Sequence, residues 1–273
     1  MKVTVLVDND SLVSTTKAEH GLSLFIEDEE VAILFDTGKT GLLLENALQL
    51  NINLNKIDYL VLSHGHYDHT GGLPSFIESC KKNHVVEFPR LICHPDALCR
   101  RGTYFNSSVC IKNLSSPLTS KEITDIFPAT LSEKPLWLND KFVFLGEIPR
   151  NISNDEDCFG EIYKNGLFCK DVILDDSSLV YNSSHGLIIF TGCAHSGICN
   201  TIEYAKQICK ENRIVDVIGG FHLNGANVEK LHKVKIYLEN NQPKNLHACH
   251  CTGKGRGFLP NQENIGVGKV LNY

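Results

Sequence analysis

Four side chains able to bind a metal ion, His64, His66, Asp68 and His69, fall within six residues of one another. They lie in the string Ser63-His64-Gly65-His66-Tyr67-Asp68-His69-Thr70-Gly71-Gly72. The string follows an apolar run and ends in a glycine pair. In a tight loop, residues two apart can point the same way while a third and fourth fold back beside them, so four donor atoms converge at low entropic cost. Imidazole nitrogen with carboxylate oxygen is the donor set of catalytic zinc, manganese or iron rather than of calcium. The competing reading is a solvated turn that merely happens to be histidine-rich. It is disfavoured, because histidine and aspartate seldom crowd together without a ligand.

Three further strings place reactive residues after apolar runs. In Thr191-Gly192-Cys193-Ala194-His195, His195 sits at a strand end beside a helix opening and is expected to face the metal site. Cys193 has two readings, a thiolate donor or a small buried residue. In Gly219-Gly220-Phe221-His222-Leu223, His222 is expected at the same end of the sheet, where it binds substrate, donates a proton or caps the next helix. In His247-Ala248-Cys249-His250-Cys251, alternation along a strand sends His247 and His250 to opposite faces. Cys249 and Cys251 flank His250 and are read as core. His94 is a candidate set against a surface histidine, and His20 reads as a turn residue.

Strands are expected at Val3 to Val7, Leu22 to Ile26, Val31 to Phe35, Ile57 to Leu62, Leu187 to Phe190 and Val215 to Ile218, with a last approach over Leu246 to His250. Apolar residues at helical spacing predict helices over Gly41 to Leu50, Leu73 to Cys80, Gly197 to Glu211 and Val228 to Asn240. The stretch 95–184 is the least regular, with loops at 113–120 and 151–157 and strands near 141–145 and 172–174. Strands alternating with helices imply an α/β fold whose site lies at the carboxyl ends of strands. With no repeat or linker, the 273 residues are expected to form a single domain, in which 95–184 partly covers the site.

At this length about three quarters of the unfolded surface can be buried, so a metal is not needed merely to fold the chain. With 32 acidic against 26 basic residues and no block of like charge, tight electrostatic capture of nucleic acid or of an anionic membrane is disfavoured. No apolar run approaches the roughly 18 residues of a membrane span. The run Val3 to Val7 is shorter than the roughly 7–15-residue core of a secretory signal. A cytoplasmic protein is expected. Eleven cysteines without a Cys-x-x-Cys pair read as reduced thiols rather than a disulfide framework or zinc knuckle.

The His-x-His-x-Asp-His pattern, together with Phe35-Asp36-Thr37-Gly38 upstream, resembles the metallo-β-lactamase-fold hydrolases, and the resemblance runs over essentially the whole chain. It implies a four-layer αββα sandwich with a one- or two-metal site between the inner sheets, two zinc ions being expected and manganese or ferrous iron the alternatives. It implies that His64 and His66 bind the first ion and that Asp68 and His69 bind the second. His250, preferred to His247, completes that second set, and Asp36 supports the imidazoles from behind. Family members commonly carry Thr-Gly-Asp where this chain has Thr191-Gly192-Cys193, and that aspartate bridges the metals. Here either Cys193 supplies a thiolate, or His195 serves with hydroxide as the only bridge. The histidine expected between the cluster and this motif has no convincing match other than His94, and His195 is a candidate to fill its place.

Several strings together resemble one branch, the proteins related to dihydropterin-methyl ribofuranosyl-aminobenzene phosphate synthase. They are Glu19-His20-Gly21-Leu22-Ser23, Gly146-Glu147-Ile148-Pro149-Arg150, Thr191 to His195, Gly220 to Leu223 and His250-Cys251-Thr252-Gly253. The expected activity is hydrolysis of a small ester or phosphoester by a metal-activated water, with Asp68 orienting the nucleophile and His222 handling substrate or proton. The alternatives are a pterin-type transferase and a metal or redox sensor. Lys254 and Arg256 are candidates to pair with an anion, against the commoner reading of exposed basic residues in a glycine-rich loop.

Overall fold

The structure, a computed structural model, describes residues 1–105, 109–152 and 158–273. In chain order its elements begin with β1 (Lys2–Val7), β2 (Ser23–Glu27), β3 (Ala32–Phe35), α1 (Leu42–Gln49), β4 (Tyr59–Val61), α2 (Tyr67–Thr70), α3 (Leu73–Lys82) and β5 (Arg90–Cys93). They continue with β6 (Arg101–Phe105), β7 (Val109–Asn113), α4 (Ser120–Ile126), β8 (Ala129–Leu131), β9 (Leu136–Trp137), β10 (Phe142–Phe144), β11 (Glu161–Lys164) and β12 (Leu167–Lys170). Last come β13 (Ser178–Ser183), β14 (Gly186–Thr191), α5 (Ile198–Cys209), β15 (Ile214–Gly220), α6 (Val228–Asn241), β16 (Asn245–Cys249) and β17 (Val270–Asn272). The chain divides into two compact units. The first comprises Met1–Leu131, Cys158–Asp175 and Gly266–Tyr273, and the second Ser132–Asp157 and Asp176–Ile265.

The first unit is built on a sheet of order β17-β1-β2-β3-β4-β5-β8, antiparallel from β17 to β3 and parallel from β3 to β8. Its core joins Leu34, Leu60 and Leu91 of the sheet to Leu43 and Ala47 of α1 and to Phe76 and Ile77 of α3. Leu43 and Ala47 of α1, and Leu73, Phe76, Ile77 and Cys80 of α3, follow helical spacing, which gives each helix one apolar face to bury. Because β3, β4 and β5 run parallel, the segments that open with Asp36, Ser63 and His94 leave the same edge. A second sheet, β12-β11-β6-β7, is antiparallel throughout.

The second unit is built on a sheet of order β16-β15-β14-β13-β10-β9, parallel from β16 to β14 and antiparallel beyond. Val180, Ile189, Val217 and Leu246 pack with Ile202 of α5 and Leu231, Val234 and Leu238 of α6. The parallel trio again aligns three carboxyl ends, those that lead to Cys193, Phe221 and His250. The fold class is α/β, as the sequence implies, and each unit pairs a helical layer with a sheet.

Strands and helices expected from periodicity lie within a few residues of where the structure has them. The stretch read as irregular differs: 95–184 holds β6 to β13 and α4. These strands are short and several are open to solvent, so apolar alternation is weak, and their partners are distant in sequence. The strand expected near 141–145 is β10. The strand expected near 172–174 is instead a turn, in which the Asp171 carboxylate accepts the Ile173 N–H (3.1 Å) and Ile173 takes a left-handed φ of 52°. Of the loop expected at 151–157, residues 153–157 lie outside the described residues. All eleven cysteines are free thiols, and no helix among the described residues is long and apolar enough to cross a membrane.

One glycine sets how closely β14 and β15 approach. Gly219 has a φ of +125°, and a Cβ there would run into the Thr191 carbonyl oxygen on the neighbouring strand. Gly219→Ala is therefore expected to cost roughly 2 kcal/mol or more and to lower the thermal midpoint by about 5 °C or more. Calorimetry checks this, and an unchanged midpoint would refute it.

Candidate metal centre

The histidine loop of the first unit is organised by one carboxylate. Asp36, fully buried after β3, accepts the Ser63 N–H (2.8 Å), the Ser63 hydroxyl (2.7 Å) and His69 Nδ1–H (2.7 Å). An ionised carboxylate only accepts, so His69 must donate through Nδ1, and its Nε2 carries the lone pair. The Ser63 hydroxyl gives its proton to Asp36, so its oxygen accepts from His64 Nδ1 (2.9 Å), and His64 also presents Nε2. Asp36 thus fixes two imidazoles in the tautomer that a metal requires, one directly and one through serine.

His64 Nε2 stands 3.0 Å from His66 Nδ1, and the rings of His64 and His69 are 4.2 Å apart. Two nitrogens bound tetrahedrally to one zinc ion stand roughly 3.3 Å apart, so the His64–His66 spacing suits a shared ion. Burial, aided by the Arg101 charge, holds the His66 pKa down to about 3. His66 is therefore a neutral imidazole, the form that ligates. Asp68 is buried in the short helix α2, with Oδ2 3.1 Å from His20 Nε2 and 3.9 Å from His69 Nε2. The structure therefore brings His64, His66, Asp68 and His69 together, and adds His20, read from sequence as a turn residue.

The loop backbone is held from outside the motif. Thr37 donates its N–H (2.7 Å) and hydroxyl (3.0 Å) to the His69 carbonyl, and Gly65 N–H donates to Asp175 Oδ2 (2.8 Å). Asp175 Oδ1 accepts from Arg101 Nη2 (2.7 Å), and that nitrogen also donates to the Asp96 carbonyl (2.8 Å). Burial pushes the Asp175 carboxyl up, but the Arg101 guanidinium and the Gly65 N–H outweigh it and hold the group below the usual carboxylate range. Neither Arg101 nor Asp175 is marked by any motif; a lone arginine amid short strands carries no sequence signal of burial. His94, expected to be superficial unless a ligand, is buried at the end of β5, where its Nδ1 accepts the Asp96 N–H (3.1 Å).

In the second unit Cys193, His195 and His222 offer ligand atoms within 4.8 Å of one another, and so do Cys193, His250 and Cys251. The His195 and His222 rings lie 4.4 Å apart. Ser196, next to His195, gives its N–H (2.9 Å) and hydroxyl (2.6 Å) to Asp176 Oδ2, which anchors the Cys193–His195 loop. Thr252 Oγ1 accepts the Phe221 N–H (3.0 Å), and Thr191 Oγ1 donates to the Gly220 carbonyl (2.9 Å), which locks the three strand ends together. His247 Nδ1 meets Asp216 Oδ2 at 2.6 Å, so this buried histidine is engaged away from the cluster.

One reading is corrected here. Cys251 does not belong to the core with fully buried Cys249; it joins the donor cluster, because the chain leaves strand geometry at Cys249 and His250 takes a left-handed φ of 50°. Burial raises the Cys251 thiol, but hydrogen bonds with Cys193 and His222 and the charge of His250 outweigh it and bring the thiol well below its ordinary value. Lys254 is exposed and Arg256 half-buried, both on the 3-10 segment that follows His250.

Residues 16–87, which contain Asp36 and the histidine loop, match the Metallo-beta-lactamase superfamily. The chain belongs to that superfamily, whose fold typically binds divalent metal ions. It is 31% identical over 273 residues to 7,8-dihydropterin-6-methyl-4-(beta-D-ribofuranosyl)-aminobenzene-5'-phosphate synthase of Methanocaldococcus jannaschii, covering 94% of this chain and 90% of that protein. It is 32% identical over 269 residues to the uncharacterized protein MJ0448 of the same organism, covering 98% of this chain and 97% of the relative. Among solved structures, Tm1679, described as a metal-dependent hydrolase of the beta-lactamase superfamily, superposes with a TM-score of 0.83 at 26% identity, over 100% of this chain and 99% of that one.

Two substitutions separate metal binding from stability. Asp36→Asn keeps the shape but offers an amide to His69 and Ser63; metal affinity is expected to fall by about 10–100-fold, measured by chelator competition. Arg101→Met leaves Asp175 buried without its cation and is expected to cost about 3–5 kcal/mol in denaturant titration. A cost below about 1 kcal/mol would show that the pair does not hold the loop.

Proposed function

We propose that the protein is a metal-dependent hydrolase of a small ester or phosphoester and that it uses two divalent ions, zinc first among them. The observation that carries this reading is the Asp36 arrangement, in which imidazoles of fixed tautomer turn lone pairs toward one spot in a buried loop. The donors are His64, His66, Asp68 and His69 in the first unit and His195 and His250 in the second. The donor set fits a divalent cation: His66 is neutral, and the carboxylates of Asp36 and Asp68 offset positive charge.

Bound divalent ions supply a Lewis acid for the substrate oxygen and bring the pKa of water toward neutrality. The chain's own residues do the rest. Asp68, held by His20, accepts a proton from the attacking water and orients it. In this reading His222, which follows β15, holds a substrate oxygen or returns a proton to the leaving group. The full-length likeness to a metal-dependent hydrolase supports this reading. A cytoplasmic setting accords with eleven free thiols.

A second reading, a pterin-type transferase, is favoured by the full-length likeness to the Methanocaldococcus jannaschii synthase. There the metal ions would hold a diphosphate leaving group, and an aminobenzene carbon or nitrogen rather than water would attack.

The test uses metal-loaded protein against a panel of phosphomonoesters, phosphodiesters and carboxylic esters, beside a dihydropterin diphosphate offered with an aminobenzene acceptor. Ester cleavage that falls at least about a hundredfold in His66→Ala, with loss of bound metal, supports the hydrolase. A condensed pterin product with no ester cleavage would replace it by the transferase.

A further inference from the structure

The carboxyl ends of β14 and β16 bring two thiols together across the end of β15. Cys193 is buried and Cys251 half-buried, and the Cys251 Sγ lies 3.5 Å from the Cys193 carbonyl oxygen. Gly220, which ends β15 between them, makes the room: a Cβ there would fall 2.6 Å from Cys251 Sγ and 3.2 Å from Cys193 Cα. The ligand atoms of Cys193, His250 and Cys251 lie within 4.8 Å of one another. Cys193 belongs as well to the set with His195 and His222. Donors around tetrahedral zinc stand roughly 3.3–3.8 Å apart, so a shift of about 1 Å closes the set on an ion.

We propose that Cys193, Cys251 and His250 form a thiolate-bearing metal site in the second unit. It takes a borderline-soft ion, zinc, ferrous iron or cobalt, in preference to manganese, magnesium or calcium. Charge argues the same way. The sets Cys193-His195-His222 and Cys193-His250-Cys251 are made of thiols and imidazoles, and a buried divalent ion needs anionic partners. Within these sets the two thiols are the groups that can become anionic, and a coordinating thiol binds as thiolate. The inference rests on the metal-dependent reading above and deepens it by naming the class of metal.

The experiment loads the full chain, stripped with a chelator under reductant, with cobalt(II). The wild type is expected to show the intense near-ultraviolet sulfur-to-cobalt charge-transfer band, reduced to about half in Cys251→Ser and absent in the Cys193→Ser/Cys251→Ser double variant. Cys249→Ser, which changes a buried core thiol, is expected to leave the band intact. Zinc-edge X-ray absorption on the wild type needs no variant, and two sulfur neighbours are expected. Cobalt bound without the band, a band that survives in the double variant, or a zinc shell of nitrogen and oxygen alone would overturn the inference while leaving the hydrolase reading in place. Failure to bind cobalt or zinc at all would overturn both.

Discussion

The buried Asp36 carboxylate is the constraint on which the histidine loop depends. A charge removed from water must be satisfied by donors, and its three come from the loop itself: the Ser63 N–H, the Ser63 hydroxyl and His69 Nδ1. Satisfying the charge therefore places the imidazoles of the candidate metal centre. The residue pays in backbone conformation, with a φ of 58° in the left-handed region. A residue in extended conformation there would continue β3 and carry its side chain away from the loop. Arg101 and Asp175 act one layer further out, through the Gly65 N–H, so the loop is held both by its side chains and by its backbone.

The second unit reaches a similar end by different means. Its loop after β14 is anchored by Asp176 on Ser196, the residue beside His195. Ala194, His222 and His250 all adopt left-handed backbone, with φ of 55°, 49° and 50°. Non-glycine residues avoid that region, and each of these follows one of the three parallel strands. The same need explains all three. A parallel strand that must turn a side chain sharply onto its own carboxyl end reverses within one or two residues, and the left-handed conformation does that where a longer loop would let the donor wander. Hydrogen bonds from Thr191 and to Thr252 tie the three ends together and hold that geometry.

What the sequence revealed followed from how local the signal was. The helices α1, α3, α5 and α6 and the strands that precede each donor have strong apolar periods, and His64, His66, Asp68 and His69 are near neighbours in the chain. Both survive reading one window at a time. Arg101, Asp175 and Asp176 do not, since their roles arise from pairings with residues far away in sequence, such as Gly65 with Asp175. The region 95–184 was illegible for the same reason, its short strands being specified by partners rather than by their own pattern. Cys251 shows a further limit. Alternation places a flanking residue on the opposite face only while the strand continues, and the chain turns at His250.

The two units also differ in how they can neutralise a cation. In the first, Asp36 and Asp68 stand with three histidines, and burial and Arg101 keep His66 uncharged, so carboxylate oxygen supplies the negative charge. In the second, the sets Cys193-His195-His222 and Cys193-His250-Cys251 hold thiols and imidazoles. Imidazoles alone leave a buried ion's double charge uncompensated, an arrangement strongly disfavoured at low dielectric. A thiol can restore the balance because its proton leaves on coordination, and Cys251 stands beside Cys193 and His250 to do so. On the proposed assignment, sulfur at this strand end supplies the negative charge that carboxylate oxygen supplies in the first unit.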